Sequence, residues 1–228
     1  MTTFYRVDGG RLTYAEYWRM APDPLSFLIA AGRKLFGFPI QFNFAIPRPD
    51  RLFLVEFDEL PEMAQRAMRP AIRSAEKAGL RLIFCHRLAV PEPNRLGAAA
   101  LMLDDANTTG LMVVFGRHNE QRELRLACAS RFADDSLATT TTMKKTMNPL
   151  PGQSIERHPD ANARTLYQRH LEHLARLDRR EGLIPVKLKP DRLHEFVLEC
   201  ELRYVDYHIA RGVFVPMTDE ELDEVSKW

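Results

Sequence analysis

Cysteine is scarce in this sequence: Cys85, Cys128 and Cys200 are the only three, far apart and without a C-x-x-C pair. That spacing excludes a zinc knuckle, a thiol redox motif and the stapled framework of a small secreted domain. Each cysteine sits in an apolar run, where a thiol behaves as a small hydrophobe. A reducing, cytoplasmic compartment is the expectation. A surplus of charge is missing too, with 32 Lys and Arg against 31 Asp and Glu, for a net charge of +1. A dedicated nucleic-acid-binding domain would carry a basic excess, so none is expected, although a local basic patch is compatible with the balance.

Long hydrophobic runs are also absent. The longest apolar stretch, residues 24 to 46, is broken by Arg33, Lys34 and Pro39, whereas a spanning helix needs roughly 20 mostly apolar residues. The opening residues show no basic segment followed by an apolar one, so no secretory leader is expected. Familiar catalytic motifs are lacking: there is no G-x-S-x-G, H-E-x-x-H or G-x-G-x-x-G. Gly32 and Gly37 stand at phosphate-loop spacing, but Phe38 and Pro39 occupy the positions that require Lys and Ser or Thr. No cofactor is expected.

What is present is ordinary globular composition, 45% hydrophobic and 28% charged. Residues 13 to 20 and 24 to 37 read as two short helices. In the second, Leu25, Leu28, Ile29, Gly32, Leu35 and Phe36 share a face, which is expected to dock on the core. Residues 51 to 57 read as a strand. A helix over 60 to 78 carries a small-residue stripe suited to a sheet, with Pro70 expected to kink or interrupt it. Strand-like runs follow at 80–88, 98–103, 111–117, 123–132 and 136–144, separated by turn residues that include Pro91, Pro93 and Asn94. Such short connections predict antiparallel neighbours. Residues 145 to 160 read as irregular. Helices are predicted at 163–181 and 190–211, and a capping box of Thr218 and Glu221 predicts a short last helix. The fold expected is α+β: an antiparallel sheet of about five to six strands packed on helices, with additional C-terminal helices. One domain is expected, with an apolar arm (1–48), a helix-plus-sheet core (49–145) and C-terminal helices (160–228).

Four residues stand out as candidate ligand-binding groups: His86, Thr140, Thr142 and Lys144. Within the threonine run, strand alternation places Leu137, Thr139, Thr141 and Met143 on one face and Thr140, Thr142 and Lys144 on the other. The second set is expected to point outward from a strand at the rim of the sheet, with lysine blunting the edge. An anion site is the alternative. His86 shares a predicted face with Leu80, Leu82, Phe84 and Leu88, either as a satisfied core histidine or as a general base in a cleft. His170 and His173, three apart on a helix, could begin a metal site with Asp206 or His208, but no ligand spacing supports one, and no metal is expected. The expectation there is one histidine near the core edge and one in solvent. The segment Asp105 to Gly110 echoes a calcium loop without its closing glutamate, and reads as a hairpin loop with Gly110 supplying the special dihedral.

Function is expected to be non-catalytic binding of a small ligand or a protein partner, and the N-terminal arm is large enough to join a homo-oligomer. One alternative is an enzyme with a cleft between the sheet and the C-terminal helices, using His86, Thr140, Thr142 and Lys144, or His170 and His173. Another is attachment to a membrane surface through residues 24–46.

Overall fold

The structure, a computed structural model, describes residues 2–38, 40–88, 95–118, 120–144 and 147–226; the turn read at Pro91, Pro93 and Asn94 lies outside them. The chain begins with β1 (Thr3–Asp8), α1 (Tyr14–Met20), α2 (Pro24–Leu35) and β2 (Gln41–Arg48). The middle holds β3 (Phe53–Val55), α3 (Glu62–Glu76), β4 (Leu80–Arg87), β5 (Arg95–Asp104), β6 (Gly110–His118), β7 (Gln121–Arg131) and β8 (Leu137–Thr141). Then come β9 (Gln153–Arg157), α4 (Ala163–Glu181), α5 (Leu193–Ala210), β10 (Phe214–Pro216) and α6 (Asp219–Ser226).

The architecture is α+β, but the sheet is larger than expected and mixed. Seven strands run in the order β3-β4-β5-β6-β7-β8-β9. All neighbours are antiparallel except the last pair, where β9 lies parallel to β8 with Thr140 opposite Glu156. The threonine strand is therefore an interior strand, not the rim. A second sheet, β10-β1-β2, joins the N-terminal arm to the C-terminal region.

Helices cover both faces of the large sheet. On one face, Ala98, Ala100 and Met102 of β5 pack with Ala64, Met68, Ala71 and Ile72 of α3 and with Leu166 of α4. The small residues of α3 let its backbone approach the strands closely. On the other, Ala99, Leu101 and Leu103 pack with Leu193 and Val197 of α5. A residue shift along β5 thus changes the core it serves, as the two-residue period of a strand requires. A third cluster, with Val7, Leu12, Tyr17, Val205 and Phe214, seats the small sheet on α1 and the end of α5.

Local signals account for most helix ends. Thr13 and Glu16 form a capping box on α1, Asn162 caps α4, and Gly182 closes it at φ 65°. The Thr218–Glu221 box is present, each residue bonding the other's backbone N–H. Pro70 does not interrupt α3, which runs through it with the proline on the exposed side. In the β5–β6 hairpin the positive φ, 57°, belongs to Asn107 and not to Gly110. Asparagine tolerates that region, and the buried Asp104 carboxylate accepts the N–H of Thr108 and of Thr109 at 2.8 and 3.1 Å, fixing the turn.

Candidate functional site

The structure separates the four candidate residues. Lys144 is exposed, and the Thr142 hydroxyl accepts the N–H of Leu126 at 2.9 Å, closing the end of the β7–β8 ladder. His86 lies on the opposite face of the sheet from Thr140. A bulge between Leu82 and Phe84 shifts the register of β4 against β5, so Leu80 and Leu82 join the α3 core while Phe84 and Leu88 join the α5 core. His86 follows the second group, is 1% exposed, and neither ring nitrogen has a hydrogen-bond partner among the described residues. Burial pushes its pKa down to about 4, which keeps the ring neutral.

Thr140 points inward, contrary to the outward orientation expected of a rim strand. Its partner across the ladder is Cys128, and both face α4. There it meets His170 and His173, both buried, in place of the expected pairing of one edge and one solvated histidine. Thr140 Oγ1 lies 3.0 Å from His170 Nδ1 and 3.3 Å from His173 Nδ1. His170 Nε2 is 3.0 Å from Ser130 Oγ, and His173 Nε2 is 2.9 Å from Ser154 Oγ.

One assignment of protons satisfies every member of this chain. The Thr108 carbonyl can only accept, so Ser130 donates its proton there, at 2.8 Å. Ser130 then accepts from His170 Nε2–H, and His170 Nδ1 accepts from Thr140. Thr140 accepts from His173 Nδ1–H, and His173 Nε2 accepts from Ser154. The Thr109 hydroxyl, 3.0 Å from Ser130, completes the inner end as a donor. Both histidines are neutral in this arrangement. Burial favours that state: it pushes the pKa of His170 to about 3 and lowers that of His173.

The outer end of the chain reaches a surface ion cluster. Both Glu156 oxygens accept from Arg176 at 2.6 Å, and Glu156 also lies 3.9 Å from His173 and 3.8 Å from His158. Burial alone would raise the Glu156 pKa, but the hydrogen-bonded Arg176 guanidinium holds it below the usual range. With Ser130, Thr140 and His170 wholly buried, the inner groups bond one another and bind α4 to β7, β8 and β9. Among the described residues, no three His, Cys, Asp or Glu side chains form a metal-holding group. Sequence reasoning missed Ser130 and Ser154, which lack any motif and are identified only by the face each strand turns to α4.

A second buried polar cluster ties the arm to α5. Glu16 is wholly buried and accepts from Arg211 through both oxygens, at 2.9 and 2.8 Å. It also accepts the N–H of Thr13 and of Asn148, each at 2.8 Å. Burial would raise its pKa, but these donors outweigh it and leave the carboxyl at about 2.

The arm itself contradicts the expected docking. The stripe of Leu25, Leu28, Ile29, Leu35 and Phe36 faces away from the protein, and with Trp18 and Phe38 these side chains are 57% to 76% exposed. The weaker face of α2, with Phe27 and Ala30, packs inward against the small sheet's core. Lys34 turns inward as well, donating to the carbonyls of Gly10 and Leu12. No helix among the described residues is long and apolar enough to cross a membrane.

No known protein family matches the chain, and no curated protein or solved structure is significantly similar to it.

Proposed function

We propose that the protein is a non-catalytic binding domain that works as a homodimer, joined through the outward face of α2. The exposed apolar stripe of α2 carries this reading. Its five large side chains, with Trp18 and Phe38, present on the order of 800–1,000 Å². The largest apolar patch of a typical monomer is roughly 300–600 Å², while a standard interface takes about 800 Å² from each partner.

The stripe suits a second copy of itself. A two-fold axis passing between Ile29 and Gly32 on the outward face sets two α2 helices antiparallel, the self-matching arrangement that a closed dimer requires. Ile29 of each copy then lies over Gly32 of the other, where an added Cβ would meet nothing within 4 Å of its own chain. Leu25 meets Phe36, and the acidic cap Asp23 faces the partner's last turn, which holds Arg33. A membrane surface is less well served, because Lys34 is held by its own chain. The enzyme reading is weakened because Thr140, His170 and His173 bond one another out of solvent.

Size-exclusion chromatography with light scattering tests this. The wild type should run at twice 26.3 kDa, and Leu28→Glu or Ile29→Glu at 26.3 kDa with unchanged circular dichroism. A wild type that stays monomeric at high concentration would overturn the reading.

A further inference from the structure

We propose that the groove between α3 and the start of α4 binds a compact oligophosphate, a ligand carrying two or three linked phosphate groups. The site is separate from the α2 face and stands without it. Arg66, Arg69, Arg73 and Lys77 lie on the side of α3 opposite its buried Ala64–Met68–Ala71–Ala75 stripe, spaced three and four apart so that they form one row. Arg164 and Asn162 face that row from the first turn of α4, and Pro70 and Ser74 lie between. The groove holds about 700 Å³, within the roughly 300–1,000 Å³ of small-ligand sites.

Its five cations are lined by no carboxylate. Arg66 is paired with Glu62 at the rim, and Arg69 stacks on the Phe57 ring at 5.3 Å. Arg73, Lys77 and Arg164 have no ion-pair partner among the described residues. In a chain of net charge +1, this concentration of uncompensated like charge is local, and an anion relieves it. Arginine suits phosphate because its planar fork gives two parallel N–H bonds to two oxygens. Asn162 uses its Oδ1 to cap Thr165 at 3.0 Å, which leaves its amide N–H groups as donors. The α4 N-terminus adds the positive end of a 19-residue helix. Two facing walls and a balanced total charge favour a short ligand over a long polymer, which needs an extended basic track.

Isothermal titration of the full chain with tripolyphosphate in 0.15 M salt tests the site. The expected result is saturable binding of one ligand per chain, weakened at least roughly tenfold by Arg73→Ala and by Arg164→Ala, and unchanged by Arg192→Ala on the distant α5 side. All three residues are exposed, and circular dichroism checks that the variants fold. Absence of saturable binding, or binding indifferent to both groove substitutions, would overturn the proposal. So would binding of duplex nucleic acid that strengthens with length while tripolyphosphate leaves the protein untouched.

Discussion

Replacing Thr140 with valine probes the polar chain beneath α4 with almost no change of shape. The hydroxyl bridges two imidazoles, at 3.0 Å to His170 Nδ1 and 3.3 Å to His173 Nδ1. Valine fills the same volume, so the cavity contribution is small. What remains is one buried donor and one buried acceptor without partners, each worth about 1–3 kcal/mol. Partial relaxation of the rings brings the expected loss to about 2–4 kcal/mol. For a chain of this length that is a fall of roughly 5–12 °C in Tm. Urea denaturation followed by circular dichroism measures the first quantity, and calorimetry the second. Thr139→Val is the internal control, since the Thr139 hydroxyl accepts only from the Gln153 side chain, at 3.2 Å, on a half-buried site; its cost should stay within about 1 kcal/mol. If Thr140→Val leaves stability within about 0.5 kcal/mol of wild type, or if the two variants lose equally, the chain of bonds does not hold α4 to the sheet.

Acid should destabilise the protein early. His86, His170 and His208 are buried with pKa values pushed to about 4, 3 and 4 by burial, aided at His208 by the Arg211 charge. The unfolded chain binds protons at these histidines near pH 6.5 and the folded one does not. Their contribution is therefore whole above pH 6.5 and is lost as pH falls toward 4, by roughly 5 kcal/mol between pH 7 and 5; a flat urea midpoint across that window would contradict this. Glu16→Gln should cost about 3 kcal/mol at pH 7 by stranding Arg211. Because Glu16 titrates at about 2 when folded and higher when unfolded, the gap between variant and wild type should close as pH falls from 4.5 to 2, read from denaturation midpoints. Glu201, half-buried on α5, has its pKa pushed up to about 7 by burial, so the folded state loses stability as pH rises from the ordinary carboxyl range to about 7, and the penalty is complete above that. Glu201→Gln should stabilise by about 1–2 kcal/mol at pH 8 and leave stability unchanged at pH 4.

The parts of this fold that were legible in the sequence are those written locally. The capping box at Thr218, the glycine after α4 and the period-2 runs from β4 to β8 each depend on residues within a few positions of one another. The parts that were hidden depend on distant partners. Strand β9 follows a proline-rich stretch and pairs in parallel across an 11-residue connection (142–152), so no turn announces it. β1 finds β10 more than 200 residues away. The bulge in β4 moves His86 to the other face of the sheet, and simple alternation cannot register it. For the candidate site, the spacing of His170 and His173 and the threonine run were both visible. Their meeting was not, because it required α4 to lie on the Thr140 side of β8. The stripe on α2 is legible in the sequence as a face, but its direction is not, because the pattern does not say which side meets the core. Phe27 and Ala30 make the weaker face, and it is this one that packs inward.

The central claim, that α2 meets α2 in an antiparallel pair, is tested most directly by the distance between two copies. A spin label on Pro22→Cys, in a Cys200→Ser background, sits just before each α2. Pulsed dipolar spectroscopy should find the labels about 25–30 Å apart across the two-fold axis, given a rise of about 1.5 Å per residue. A trace with no intermolecular coupling at high protein concentration, or a single short distance from helices lying side by side in parallel, would contradict it.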